Sequence, residues 1–284
     1  MSDRKPAASI PQGGWDCHCH LFGPLTEYPA AESATHTAPT ATVADYRSLL
    51  DRLGLAKGVV VTSTVYGTDN RLLIESLQAA GDWLRGVAVI DNSVTDAELD
   101  IMHRAGVRAF RINLIYRSRG EQFRGGVGHE ALRPLAERTA ALGWHAQLWC
   151  DSSDLPELRA ELGALPLPCV IDHFGRTPTK RGIDDPGFET LRAMLAEGEA
   201  YAKISGAYRI SDEYPRYGDV KPFAQALISA APDRLVWGTD WPHPNCKSSM
   251  PDDADLLEIL AEWCDGDQAL LRKILVETPQ KLYG

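Results

Sequence analysis

The stretch WDCHCH, residues 15–20, is the first of eight short apolar runs that alternate with longer amphipathic segments along the chain. The other runs are GVVVTST (58–64), RGVAVI (85–90), GVRAFRIN (106–113), WHAQLWC (144–150), PCVIDHFG (168–175), YAKISG (201–206) and DRLVWGTD (233–240). Runs of this length predict buried strands, and the segments between them have helical periodicity. Eight strands alternating with helices predict parallel βαβ units and an α/β fold of the (β/α)8 TIM-barrel type.

The rival α/β architecture is an open, doubly wound sheet, which commonly carries a glycine-rich phosphate-binding turn after its first strand. No such fingerprint follows any of the eight runs, which favours the barrel. We predict a flexible N-terminal segment over residues 1–13 and a single barrel domain over residues 14–284, because a barrel commonly takes about 250 residues.

The composition excludes several classes of function. A net charge of −10 argues against nucleic-acid binding, which needs a basic surface, although a local arginine cluster can still bind an anionic small molecule. No apolar run approaches the roughly 18 residues of a membrane span, and the first residues lack the apolar core of a signal peptide. We therefore expect a cytoplasmic protein with no membrane or nucleic-acid partner. The composition leaves the oligomeric state open.

Alternation along the first strand separates its polar residues into two groups. Side chains of a strand point to alternate sides, so Asp16, His18 and His20 are expected on one side and Cys17 and Cys19 on the other. The cysteines are then expected to pack in the core rather than to join the histidines around an ion.

Titratable residues stand at the ends of three predicted strands. His18 and His20 end the first strand, His173 follows the sixth, and Asp240 ends the eighth, which adjoins the first when a barrel closes. Active sites of TIM barrels lie at the C-terminal ends of the strands. These four residues are therefore the candidate catalytic group.

Three motifs carry a resemblance to a known family. DCHCH on the first strand, DHFGR on the sixth and WGTDWPHP on the eighth resemble the amidohydrolase superfamily, in particular its amidohydrolase-2 branch. The segments YGTDN, FRINLIYR, SGAYR and ILVETPQKLYG extend the similarity toward the lactone hydrolases of this branch that act in aromatic catabolism on pyrone dicarboxylate or sulfomuconolactone. The resemblance implies hydrolysis of a lactone ring, with Asp240 activating water and His18, His20 and His173 polarising the carbonyl.

The resemblance also implies a set of substrate-binding residues. Guanidinium groups bind carboxylates in bidentate fashion, and two or more of them imply a small anionic lactone with at least two acidic groups. The arginines implied are Arg111, Arg117, Arg176 and Arg209, with Thr64 at a position where relatives have a small hydroxyl residue. Arg119 and Arg124 have no such support and are expected to be surface charges. The loop 28–39, which contains His36, is expected to cover the mouth of the site.

A metal is common in the superfamily but is not favoured here. Metal-dependent members use a bridging residue on strand four and a histidine on strand five, whereas this chain ends strand four in FRIN and has His145 at the wrong end of strand five. We therefore predict that no metal is required. Three alternatives stay open: a sulfomuconolactone or sugar-acid lactone hydrolase with one Zn or Mn on His18, His20, His173 and Asp240, a metal-dependent decarboxylase, and a non-catalytic binding protein.

Overall fold

The computed structural model describes residues 4–34, 39–120, 126–246 and 250–284. Its centre is one eight-stranded parallel sheet in which neighbouring strands follow chain order, β1 to β8. The strands are β1 (Trp15–Cys19), β2 (Lys57–Val61), β3 (Leu84–Ala88), β4 (Val107–Asn113), β5 (His145–Trp149), β6 (Cys169–Ile171), β7 (Ala200–Lys203) and β8 (Leu235–Val236). The prediction of an α/β (β/α)8 barrel is confirmed.

Helices follow the strands on the outside of this sheet. They are α1 (Val43–Leu53), α2 (Arg71–Ala80), α3 (Asp96–Ala105), α4 (Tyr116–Arg119), α5 (Leu132–Thr139), α6 (Leu155–Gly163), α7 (Pro186–Ala196), α8 (Lys221–Ala230), α9 (Asp253–Trp263), α10 (Gln268–Arg272) and α11 (Thr278–Tyr283). Within the described ranges, none of these helices combines the length and the apolar character needed to traverse a bilayer.

The barrel closes through backbone hydrogen bonds between β1 and the segment that follows β8. Cys17 N donates to Trp237 O at 2.8 Å, Asp240 N to His18 O at 2.8 Å, and His20 N to Trp241 O at 2.7 Å. Each bond joins a residue of the first motif to one of the last. Closure therefore brings Asp240 beside the histidines of β1, as the sequence predicts.

Apolar side chains fill the lower half of the barrel interior. The strands contribute residues at every second position, and α11 adds two more from below. These residues are Trp15, Cys17, Val59, Val61, Val87, Ala109, Val170, Tyr201, Val236, Leu282 and Tyr283. The Trp15 and Tyr283 rings lie 6.2 Å apart, centroid to centroid. The candidate active site thus stands above a largely apolar floor.

An irregularity in β1 overturns one sequence prediction. The register of β1 with β2 shifts between Asp16 and Cys19. Cys17 packs in the core inside the barrel, whereas Asp16 and Cys19 lie outside it, beside Tyr46 of α1. A bulge resets the alternation of the residues that follow it. The predictions that Asp16 shares a side with the histidines and that Cys17 shares one with Cys19 are therefore wrong. Both cysteines are nevertheless fully buried and in no disulfide.

The first described residues run along α9. The Arg4 guanidinium donates to the Glu258 carboxylate at 2.8 Å, and the backbone N–H of Ala7 donates to the same oxygen at 2.7 Å. A half-exposed ion pair of this kind contributes up to about 1 kcal/mol.

Candidate active site

The four predicted catalytic residues meet at the C-terminal mouth of the barrel. His18 Nε2 lies 3.3 Å from His20 Nε2, and Asp240 Oδ1 lies 3.5 Å from His20 Nε2 and 3.8 Å from His18 Nε2. On the other side, His173 Nε2 is 3.9 Å from Asp240 Oδ2. The three imidazoles therefore surround one buried carboxylate, as expected from their positions at strand ends.

Backbone geometry aims these side chains into the barrel. His173 and Asp240 have φ of 50° and 63°, in the left-handed region that residues other than glycine rarely adopt. Such conformations persist at sites where the surrounding structure holds them in place. Gly238 allows β8 to approach β1, because a Cβ atom there would lie 2.5 Å from His18 N.

Two donors hold one oxygen of the Asp240 carboxylate. The Tyr208 hydroxyl donates to Oδ2 at 2.6 Å, and Arg209 Nε makes a short hydrogen bond to the same atom. Burial alone would raise the pKa of Asp240, but the adjacent Arg209 guanidinium brings this pKa well below its usual range. Asp240 is therefore ionised at neutral pH, with Oδ1 facing the histidines.

The three histidines differ in what holds their second nitrogen. His20 Nδ1 donates to Val61 O at 2.7 Å, and His173 Nδ1 lies 2.9 Å from Ser205 Oγ. Burial lowers the pKa of His173 to about 3, against the opposing effect of Asp240. Burial and the nearby Lys203 ammonium also lower the pKa of His18 well below its usual value. His18 and His173 are accordingly neutral imidazoles.

A layer of buried polar side chains directly beneath the histidines was missed by sequence reasoning. Lys203 Nζ donates to Gln147 Oε1 at 2.7 Å and to Cys17 O at 2.8 Å, and it lies 3.3 Å from His18 Nδ1. Gln147 Nε2 donates to Asp172 Oδ2 at 3.0 Å. The sequence does indicate that these side chains point into the barrel, since each residue comes two positions after an inward-facing residue of the same strand.

Arg111 completes this layer and reaches the cavity above it. Its Nε and Nη2 donate to Asp172 Oδ2 at 3.2 and 3.0 Å, and its guanidinium lies 5.3 Å from the centre of the Trp149 ring. Burial would raise the pKa of Asp172, but the Lys203 ammonium and the Arg111 guanidinium hold it well below its usual range. The buried carboxylate is thus ionised and compensates the cations around it.

A cavity opens above the catalytic group and brings several predicted binding residues together. It is lined by His20, Ser63, Thr64, Arg111, Trp149, His173, Arg209, Pro244 and Asn245. Arg176 lies close to Arg209, and burial together with Arg209 lowers its pKa to about 9. Its Nε has no hydrogen-bond partner among the residues the structure describes. Arg176 itself does not line the cavity, but its neighbour Arg209 does, and cationic charge at this place suits an anionic ligand.

Other arginines stand apart from the cavity. Arg117 Nη2 is 3.7 Å from Glu157 Oε2, and Arg117 is absent from the residues lining the cavity. The prediction that Arg119 is a surface charge is wrong, because it donates to the fully buried carboxylate of Asp151 at 2.7 Å. A buried carboxylate needs such a partner. Arg124 and His36 lie outside the described residues.

The spacing of the predicted ligands would admit one metal ion, but the hydrogen bonding does not suit it. One ligand atom each from His18, His173 and Asp240 lie within 4.8 Å of one another. However, the Lys203 ammonium lies 3.3 Å from His18 Nδ1, nearer than the Asp172 carboxylate oxygen at 3.5 Å, whereas metal-binding histidines commonly use this nitrogen to donate to a carboxylate or carbonyl. His145 stands at the start of β5 and contacts Tyr283 on the barrel floor, 4.9 Å between ring centroids, so it cannot serve as a ligand.

Fold and site together define an amidohydrolase-type barrel, and comparison with known proteins agrees. The amidohydrolase family model matches residues 15–284, and the chain belongs to this family. It is 38% identical over 288 residues to 2-pyrone-4,6-dicarboxylate hydrolase of Comamonas testosteroni, covering 98% of this chain and 92% of the relative. It is also 36% identical over 278 residues to 4-sulfomuconolactone hydrolase of Rhizobium radiobacter, covering 97% of this chain and 91% of the relative. The crystal structure of a putative 2-pyrone-4,6-dicarboxylic acid hydrolase from Pseudomonas putida superposes with a TM-score of 0.82 at 31% identity, covering 97% and 98%.

Proposed function

We propose that the chain is a lactone hydrolase that opens the ring of a small cyclic substrate with two acidic groups, such as 2-pyrone-4,6-dicarboxylate. The observation that carries the proposal is an ionised, buried Asp240 among three histidines, beside a cavity lined by Arg111 and Arg209. Two of the most similar relatives are lactone hydrolases by name, which supports the same reaction class.

In the proposed reaction, Asp240 acts as the general base. Its Oδ1 takes a proton from a water molecule, and the oxygen of that water bonds to the lactone carbonyl carbon. The ring C–O bond of the resulting tetrahedral intermediate then breaks. The leaving oxygen, an enol in a pyrone, takes the proton held by Asp240, which restores the base, and the new carboxylic acid ionises to water. General-base assistance of this kind contributes about 10²–10⁴ in rate.

The histidines stabilise the negative charge that develops on the carbonyl oxygen. His18 and His173 are neutral, so they act through N–H hydrogen bonds rather than as imidazolium ions. His20 already uses its Nδ1–H on the Val61 carbonyl, and its Nε2 faces Asp240 Oδ1. His20 therefore presents its Nε2 edge beside Asp240 Oδ1, where it can position the attacking water.

The arginines hold the substrate anions. Arg176 Nε has no hydrogen-bond partner among the described residues, and Arg209 shares the Asp240 carboxylate with Tyr208, so both guanidinium groups retain capacity for an anionic ligand. Arg111 presents a compensated guanidinium stacked against Trp149, suited to one further carboxylate oxygen and the flat face of a ring. Thr64 adds a hydroxyl to the same wall. The role of Arg117 stays a prediction that rests on the resemblance.

Each alternative predicts a different outcome in one screen. The purified protein, analysed for bound metal, is incubated with pyrone dicarboxylate, sulfomuconolactone and sugar-acid lactones. Loss of activity on chelation with restoration by Zn or Mn would favour the metal-dependent alternative. Release of CO₂ would identify a decarboxylase, and binding without consumption of any lactone would identify a binding protein.

The base is tested with Asp240→Asn. We expect kcat to fall by about 10²–10⁴ because the proton acceptor is lost, while the substrate dissociation constant changes by about tenfold or less. Asp255→Asn is the matched control, because this carboxylate lies on the surface of α9 beside Arg4. A near-normal rate in Asp240→Asn would show that another group is the base.

A further inference from the structure

Lys203 is a buried charge to which neither the resemblance nor the proposed chemistry assigns a role. Its side chain is fully buried at the end of β7, inside the barrel. An ammonium has three N–H donors, and Lys203 Nζ has three acceptors in reach. They are Gln147 Oε1 at 2.7 Å, Cys17 O at 2.8 Å and His18 Nδ1 at 3.3 Å.

The contact with His18 has a consequence for the proton on that ring. An ammonium can only donate, so His18 Nδ1 must present a lone pair to it, and the ring proton of neutral His18 then sits on Nε2. The competing arrangement would place the proton on Nδ1 and point it at Asp172 Oδ1, which is 3.5 Å away. That arrangement would turn the His18 Nδ1–H group and the Lys203 ammonium, both donors, toward each other.

The opposite edge of the ring favours the same tautomer. His18 Nε2 lies 3.3 Å from His20 Nε2 and 3.8 Å from Asp240 Oδ1. A carboxylate oxygen can only accept, so a proton on His18 Nε2 faces an acceptor, whereas a lone pair there would face the negative charge of Asp240.

We propose that Lys203 is a positioning residue that fixes the fully buried His18 as its Nε2–H tautomer, making His18 a hydrogen-bond donor within the catalytic group and a poor ligand for a divalent metal ion. This inference rests on the proposed function for the part that this donor plays in the reaction, and on the hydrogen bonds alone for the tautomer. A metal ligand needs the lone pair of His18 Nε2. If Nε2 gave this lone pair to a metal ion, the ring proton would have to move to Nδ1, where it would face the Lys203 ammonium. The same lysine thus favours one use of the histidine and opposes the other.

The tautomer is measured directly by NMR. Protein labelled with ¹⁵N in histidine is recorded in a long-range ¹H–¹⁵N correlation experiment, and His18 is assigned by the signals lost in His18→Gln. We expect a protonated Nε2 and an unprotonated Nδ1 for His18 in the wild-type protein. A protonated Nδ1 would overturn the proposal, whether or not any variant folds and whether or not a lactone is hydrolysed.

Two lysine variants test the cause. Lys203→Met keeps the length of the side chain and removes the donor, and Lys57→Met is the control, because Lys57 lies over the Trp15 ring at the opposite end of the barrel. We expect His18 to move its proton to Nδ1 in Lys203→Met only. Zn²⁺ affinity, measured by competition with a chelating dye, should rise by about 10–100-fold in that variant, as expected when a histidine ligand gains a carboxylate partner. An unchanged tautomer or an unchanged Zn²⁺ affinity in folded Lys203→Met would overturn the role of Lys203.

Discussion

Replacing His145 with phenylalanine should remove part of the acid sensitivity of the fold. His145 is buried on the barrel floor against Tyr283, and neither ring nitrogen has a hydrogen-bond partner among the described residues. Burial lowers its pKa from the ordinary 6.5 to about 3, with Lys203 acting in the same direction. Below pH 6.5 the unfolded chain takes up a proton on this ring that the folded chain does not. The folded state is therefore destabilised as the pH falls from about 6.5 toward about 3.

The size of the effect follows from the two pKa values. About pH 5 lies about 1.5 units below the pKa of the unfolded ring, so this ring is protonated in the unfolded chain and neutral in the folded one. This difference lowers the unfolding free energy of the wild type by about 2 kcal/mol relative to about pH 7.5. Phenylalanine does not titrate. The unfolding free energy of His145→Phe should thus fall by about 2 kcal/mol less than that of the wild type over this interval.

Urea unfolding followed by tryptophan fluorescence measures this difference. Packing changes in the variant alter its stability at both pH values alike, so they cancel when the change with pH is compared. His145→Gln, which also cannot titrate in this range, should show the same difference. Parallel behaviour of wild type and variants between about pH 7.5 and about pH 5 would refute the argument, since it would mean that folded His145 protonates as readily as the unfolded ring.

Two further predictions concern the site. Tyr208→Phe removes a charge-assisted hydrogen bond to Asp240 worth about 1.5–3 kcal/mol, so the pKa of Asp240 should rise by about 1–2 units. The acid limb of the pH profile of kcat/KM should move to higher pH by the same amount. Replacement of the exposed Tyr214 with phenylalanine is the control, and a loss of rate that does not depend on pH would contradict this prediction. Arg176→Met should raise KM for a dicarboxylate lactone by about tenfold or more with a smaller effect on kcat, and an unchanged KM would show that Arg176 does not bind the substrate.

Strand order and the catalytic group were predictable because each depends on a strong local pattern. Apolar runs mark the strands, and barrel geometry brings the strand-end residues His18, His20, His173 and Asp240 together. Closure then requires β8 to lie beside β1, which places the carboxylate without any knowledge of side-chain contacts.

What could not be predicted depends on departures from regularity and on compensation between buried charges. Because of the bulge in β1, Asp16 points outward and Cys17 inward, and no residue type in WDCHCH predicts a bulge. Lys203 stands in an otherwise apolar strand, and only its distance of two from the inward-facing Tyr201 indicates its direction. Arg119 looks like any surface arginine until the fold buries Asp151 beside it.

The barrel floor has a consequence for how the protein is made. Its inner core joins Trp15 of the first strand to Leu282 and Tyr283 of α11, across almost the whole length of the chain. Early strands of a growing polypeptide can pair before α11 is available, but part of their inner face then lacks its packing partners. We expect these long-range contacts to form late in folding, and a nascent chain that waits for them exposes apolar surface of the kind that chaperones bind.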